Sequence, residues 1–201
     1  MSKRLKKSKK DDIITVDDSL GHLFLGEKDL RLLMLRPIDL IEFSEFAGAN
    51  SEDIVIWVGK TLAKYFLEKL FPNEDWANET MTVKKEVILS VLETFEHLGY
   101  GILTSLFLKD KILISVEEPI SDEEKDNIMA KNICILYQGI FNGVLEQLEI
   151  DVDGQEVQCF LKNDEACIFR FDMLVDEFNL EDTDKEIKSA PIESYMERYN
   201  L

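Results

Sequence analysis

The sequence predicts an α+β domain in which helices pack on a four-stranded antiparallel sheet. Three observations point there. Apolar residues recur at three- and four-residue spacing through the first half of the chain, which is the helical period. After Gly99 the pattern changes to β-branched and aromatic runs, Tyr100 to Leu108 and Lys111 to Val116, split by Lys109 and Asp110, which reads as a hairpin. A helical segment then intervenes before a second pair of short runs. Strands that come as hairpins between helices make an antiparallel sheet with helices laid on it.

The elements follow in order. Residues 1–11 are a basic tail: Lys3, Arg4, Lys6, Lys7, Lys9 and Lys10 stand there without periodicity, so a disordered extension is expected. His22 to Leu25 and Leu30 to Leu35, separated by Gly26-Glu27-Lys28-Asp29, predict a small hairpin. Pro37 suits the first turn of a helix that carries Leu40, Ile41, Phe43 and Phe46 and stops at Gly48. Asn50 or Ser51 can cap the next, with Ile54, Val58, Leu62, Phe66 and Leu70 at fourfold spacing before Pro72. Val83, Val87, Val91 and Phe95 stripe a third helix that ends at Gly99. Pro119 stops the second strand, and Ser121 with Glu124 has capping-box spacing, opening a long helix to about Leu148. Asp153-Gly154 marks a turn. Glu156 to Leu161 and Cys167 to Phe171 are the last strands, joined across Lys162 to Glu165. One domain is expected over residues 12–172, followed by an acidic extension, 173–201, with a short helix around Ser194–Tyr199.

The chain has 201 residues, enough for a full core, and its 45% hydrophobic and 32% charged residues are globular composition. Its 23 Lys and Arg stand against 41 Asp and Glu, a net charge of −18. Such a body is repelled by phosphate backbones, so nucleic acid is not an expected partner. Only the basic tail has the sign for a weak contact with an anionic membrane. No apolar run approaches the roughly 18 residues of a membrane span. Asp11 and Asp12 stand where a signal peptide places its apolar segment, so a cytoplasmic location is expected.

The three cysteines set the main chemical question. Cys134 falls in the long helix, and Cys159 and Cys167 on the final hairpin. A hairpin centred on Asn163 places Cys159 opposite Cys167, on the apolar face with Val157, Leu161, Phe169 and Phe171. If the helix delivers Cys134 to that face, three thiols meet. Two readings are open: buried core cysteines, or a soft-ligand metal site, most simply Zn²⁺. Glu156 is the nearest fourth donor. Strand alternation turns it to the opposite face, beside Arg170, unless a bulge intervenes between Glu156 and Cys159.

The stretch from Gly99 to Phe171 resembles the 4-vinyl reductase domain family. Four features carry the resemblance: Gly99-x-Gly101 between helix and strand; Cys134 five residues before a Gly139-x₃-Gly143 helix; Glu156-x-x-Cys159; and Cys167-x-Phe169. The resemblance implies a fold similar to the core subunits of the TRAPP vesicle-tethering complex, a homodimer, and a small hydrophobic molecule as ligand. In related domains of aromatic-sensing bacterial transcription activators, the matching positions bind zinc. The resemblance therefore implies Cys134, Glu156, Cys159 and Cys167 as metal ligands. Four protein donors leave no open position, so such a zinc is structural. One departure is the final loop, where family members often have Gly-Asp and this chain has Asn163-Asp164-Glu165; Asn tolerates positive φ.

No dinucleotide fingerprint or P-loop is present, and Gly99-Tyr100-Gly101 precedes a strand, the wrong order for a nucleotide site. His22 and His97 have no nucleophile at a recognisable spacing. Catalysis is therefore not the expected function. Two alternatives are a stand-alone sensor or adaptor that signals through a protein partner, and a TRAPP-like dimeric scaffold in membrane trafficking or tethering. Phe43, Phe46, Trp57, Tyr65, Phe66, Phe95, Tyr137 and Phe141 supply either a core or the lining of an apolar pocket. Gly139 and Gly143, with Gly59 and Ala63, predict close helix packing.

Overall fold

Gly48, Gly99 and Asn163 mark the ends of elements, as their sequence contexts predict. The structure, a computed structural model, describes residues 14–17, 22–25, 30–33, 35–72, 74–120, 127, 130–174 and 189–199. The basic tail lies outside these. The chain forms two compact units, Met1–Leu35 and Arg36–Leu201.

The first unit is a three-stranded antiparallel meander of β1 (Ile14–Asp17), β2 (His22–Leu25) and β3 (Leu30–Leu32). The predicted hairpin is β2 with β3, Leu23 opposite Leu32. The strand β1 is not among the predicted elements, because its four residues show too little alternation to stand out.

The second unit begins with three helices: α1 (Pro37–Ala47), α2 (Ser51–Leu70) and α3 (Met81–His97). The hairpin of β4 (Ile102–Phe107) and β5 (Lys111–Glu117) follows, then α4 (Lys131–Gln147), β6 (Val152–Gln158), β7 (Cys167–Met173) and α5 (Ala190–Tyr199). The sheet order is β4-β5-β7-β6, with every neighbouring pair antiparallel. The predicted class, α+β with helices on a four-stranded antiparallel sheet, is the observed one. The long helix starts later than predicted. Asn127 is not helical, α4 begins at Lys131, and residues 121–126 fall outside the described ones.

Register assigns the two sheet faces. Leu103, Ser105 and Phe107 pair across to Val116, Ile114 and Ile112, and these to Cys167, Phe169 and Phe171. This inner face lies under α4: Tyr137 and Phe141 meet Phe169, and Phe141 also meets Phe171. The rings continue through Tyr100 and Phe95 to Phe66 on α2, with centroids 4.9 to 6.4 Å apart. Four of the aromatics proposed for a pocket thus pack with one another. The other four, Phe43, Phe46, Trp57 and Tyr65, are exposed, Phe46 at 92% and Trp57 at 66%, and line no interior.

Backbone contact joins α2 to α4. A Cβ on Gly59 would lie 2.7 Å from Leu136 O, and one on Gly139 would lie 2.7 Å from Ile56 O. Any side chain there would force the helices apart, so the packing expected of these glycines is present. Lys60–Glu146 at 2.6 Å and Lys131–Glu52 at 2.7 Å bridge the pair, both half-exposed and worth well under about 1 kcal/mol each.

The outer face carries Thr104, Leu106, Leu113, Ser115, Ile168 and Arg170. Ile192 and Tyr195 of α5 pack on Leu106, Leu113 and Ile168, with Met196 beside them. The helix expected around Ser194–Tyr199 is therefore docked and begins four residues earlier. The turn expected at Asp153-Gly154 is instead inside β6. Gly154 is opposite Phe171, whose ring fills the place of a Cβ, 2.5 Å from where one would stand. Among the described residues, no helix is long and apolar enough to cross a membrane.

Candidate metal centre

Where β6 ends, three cysteines and a glutamate come together. Cys134 sits in the first turn of α4 on its sheet-facing side. Cys167 opens β7 on the inner face, opposite Val116. Glu156 is opposite Phe169 and so shares that inner face. All three thiols are buried. Cys134 Sγ lies 3.7 Å from Cys159 Sγ and 3.9 Å from Cys167 Sγ. With a Glu156 oxygen, the four donor atoms lie within 4.8 Å of one another.

Glu156 reaches the cluster because the ladder slips by one residue between Glu156 and Gln158. The hairpin register centred on Asn163 holds at Gln158 opposite Ile168, then fails by one from Glu156 outward. The parity objection to Glu156 requires an unbroken strand, and the bulge removes it. The predicted Glu156–Arg170 pair does not form: Arg170 lies opposite Gln155 and binds Asp172 at 3.0 Å. Val157 turns outward to the α5 cluster instead of joining the cysteine face.

Past the bulge the chain leaves the strand at Cys159 and makes a 3₁₀ turn, Phe160–Lys162. Lys162 N donates to Cys159 O at 2.8 Å, and Asn163 closes the turn at φ 69°, ψ 22°, a left-handed conformation that Asn accepts more readily than most residues. Cys159 N donates to Asp164 Oδ2 at 2.9 Å, and Phe160 N donates to Cys167 Sγ at 3.4 Å. Sequence reasoning does not single out Asp164. Its only signal is an acidic residue five positions after a cysteine.

The electrostatics are those of a buried acidic cluster. Burial, then the Cys159 charge, pushes Glu156 up to about 7. Its Oε1 is buried with no hydrogen-bond partner. Hydrogen bonding with Cys134 and Cys167 pulls Cys159 well below the ordinary thiol range. The hydrogen bonds to Cys159 and Cys167, with burial, push Cys134 far above the ordinary thiol range. Nearby, the Tyr137 hydroxyl donates to Tyr100 O at 2.6 Å and accepts from Ile120 N at 3.1 Å, tying the chain after β5 to α4. Three thiols and a carboxylate with an orphaned oxygen form a donor set that could hold a metal ion.

No protein-family model matches this chain, so the 4-vinyl reductase resemblance stands on its motif spacing alone. No curated protein matches it either. Solved structures do. The phenol-responsive sensory domain of the transcription activator PoxR, crystallised with phenol, matches 80% of this chain and 85% of its own, at 11% identity and a TM-score of 0.50. A trafficking protein particle complex subunit 3 from Naegleria fowleri, covalently bound to palmitic acid, covers 74% of this chain and 87% of its own at 15% identity and a TM-score of 0.43. The H-NOX domain of Shewanella oneidensis in the Fe(II)CO ligation state covers 68% and 72% at 11% identity and a TM-score of 0.45. At these identities the PoxR match speaks for the fold: helices on a four-stranded antiparallel sheet.

Proposed function

We propose that this chain is a small-molecule-binding sensor or adaptor domain with a structural zinc site, which binds a hydrophobic ligand and signals through a protein partner. The observation that carries the zinc is the sulfur spacing. Two Zn–S bonds of about 2.3 Å at a tetrahedral angle span about 3.8 Å, and the observed separations are 3.7 and 3.9 Å. The unpartnered Glu156 oxygen supplies the fourth donor. Bound zinc would cross-link α4 to the final hairpin, and four protein donors leave no position for substrate, so no catalytic role is assigned. The Phe160 amide steadies the Cys167 sulfur, and Asp164 holds the turn that presents Cys159.

The ligand class rests on the shared fold of the phenol-responsive domain and on the aromatic interior between α2 and the sheet. Elemental analysis of protein purified without affinity-tag metals should give about one zinc per chain, and phenol should raise the melting temperature. A metal-free protein of unchanged thermal stability would overturn the zinc site, and a melting temperature indifferent to phenols and other small apolar molecules would overturn the ligand class.

A second reading, a TRAPP-like dimeric scaffold, is favoured by the exposed aromatics Phe43, Phe46, Trp57 and Tyr65 on α1 and α2, a surface suited to a second copy of the chain. Light scattering at working concentration should report twice the 23.3 kDa chain mass. A monomer mass would count against both the homodimer and the scaffold.

A further inference from the structure

Among the described residues, Lys84 is the one charged residue that is fully buried, at 4% exposure. It stands on the inward stripe of α3 with Val87, Ile88, Val91, Leu92 and Phe95, where helical phase calls for another apolar side chain. At the far end of that stripe Phe95 packs on Phe66 and Tyr100, with ring centroids 4.9 and 5.0 Å away. Lys84 therefore begins a row of side chains that leads into the aromatic interior. Its four-carbon stem suits such a place. The ammonium does not, because it gives up water there and needs an opposite charge in exchange. The chain holds 41 Asp and Glu, yet among the described residues the Lys84 ammonium makes no ion pair and no hydrogen bond. The first turn of α3 carries no acidic residue either. The neighbouring Lys85 is engaged elsewhere, its Nζ 4.9 Å from the centre of the Phe107 ring. A second unpaired polar group lies on the strand against which α3 packs, β4. Ser105, two residues before Phe107 on the inner face, has a buried hydroxyl with no hydrogen-bond partner.

We infer that the hydrophobic ligand is an acid: an apolar or aromatic body bearing one carboxylate, which pairs with the Lys84 ammonium and accepts a hydrogen bond from the Ser105 hydroxyl. A charge-assisted bond of this kind supplies what the fold withholds from the lysine. A monoanion matches a single ammonium. A phosphate would bring further negative charge into a chain of net charge −18, with Lys85 already engaged and no second cation to meet it. A neutral molecule of the same shape leaves the ammonium unpaired, so the site selects the acid by its charge. The inference rests on the proposed binding of a hydrophobic ligand and adds its head group; the zinc site does not enter it.

Calorimetric titration of the full-length chain at neutral pH compares 4-phenylbutyrate with 4-phenylbutanol, the same body with and without the charge. The acid should bind about tenfold more tightly than the alcohol, or better. Lys84→Met keeps the stem and removes the charge. Without ligand that variant should melt a few degrees above the wild type, and its preference for the acid should vanish. Ser105→Ala should weaken acid binding severalfold and leave the alcohol unchanged. Equal binding of the acid by the wild type and Lys84→Met overturns the inference. A Lys84→Met chain that melts lower has lost a partner of the ammonium within the fold, and overturns it as well. Binding of the alcohol without preference for the acid refutes the head group and leaves the hydrophobic ligand standing. Binding of neither compound, nor of phenol, refutes the ligand class itself, so the two failures are told apart.

Discussion

On the inner face of the sheet, Phe169 and Phe171 meet Tyr137 and Phe141 ring to ring, and α4 is clasped from behind by α2 through glycines. On the outer face, Ile192, Tyr195 and Met196 of the ten-residue α5 pack on Leu106, Leu113 and Ile168; unpaired buried hydroxyls lie on both faces, Ser105 inside and Thr104 and Ser115 outside. The same strands supply both faces but with different side chains, Phe107, Phe169 and Phe171 inside against Thr104, Ser115 and Arg170 outside. The faces differ too in how each helix is connected. Four residues separate α4 from β6, and the cysteine cluster joins its first turn to the end of the hairpin. α5 returns to the sheet only after residues 175–188, and none of the three cysteines lies on it. A short connection and a donor cluster make the inner layer the cooperative part of the unit; the outer layer is added to it.

This contrast can be broken in graded steps. The largest effect belongs to Cys159→Ser on the inner side. Loss of one thiolate should abolish stoichiometric zinc and remove several kcal/mol of zinc-linked folding energy, read as a large fall in melting temperature that added zinc does not reverse. Phe169→Ala should cost about 3–5 kcal/mol in denaturant titration, the usual range for emptying a buried ring site. Glu156→Gln keeps all three thiolates, so the fold should survive while zinc affinity falls by about 10–100-fold in chelator competition. Ile192→Ala on the outer face should cost about 2 kcal/mol, the low end for a buried aliphatic. A loss equal to that of Phe169→Ala would erase the distinction between the faces. Smallest of all, deletion of residues 1–11 should leave the melting temperature nearly unchanged, since ordering a charged tail buries almost nothing.

Much of this fold is legible in the amino-acid sequence. The helices α1, α2 and α3, the Lys109-Asp110 hairpin and the close-packing glycines all follow from local periodicity and punctuation, and each is present; the stripe of α3 is buried as predicted from Val87 onward, whereas α2 buries Val55, Gly59, Ala63, Phe66 and Leu67, largely one position on from its predicted stripe, and α1 buries only Ile41 of its four. What escapes a sequence reading is non-local. Gly154 looks like a turn residue in sequence, yet its missing side chain accommodates Phe171 of the neighbouring strand. The slip beside Glu156 has no signature of its own, because a bulge depends on what the partner strand and the following turn require. Motif spacing names the four donor residues, whereas their convergence depends on that slip. Exposure is the least legible property: Phe46 and Trp57 lie on predicted helices, but helical period alone cannot tell a face that meets the core from one that meets solvent.

The glycine clasp between α2 and α4 has an optical consequence. With backbones in contact at Gly59 and Gly139, the two helices move together, and Trp57 stands two residues from the clasp with its indole 66% exposed. The other tryptophan, Trp76, is held edge-on against Phe71, just past the opposite end of α2. The two indoles are thus distinguishable: Trp57 faces water and is open to soluble quenchers, whereas Trp76 is half-buried against Phe71.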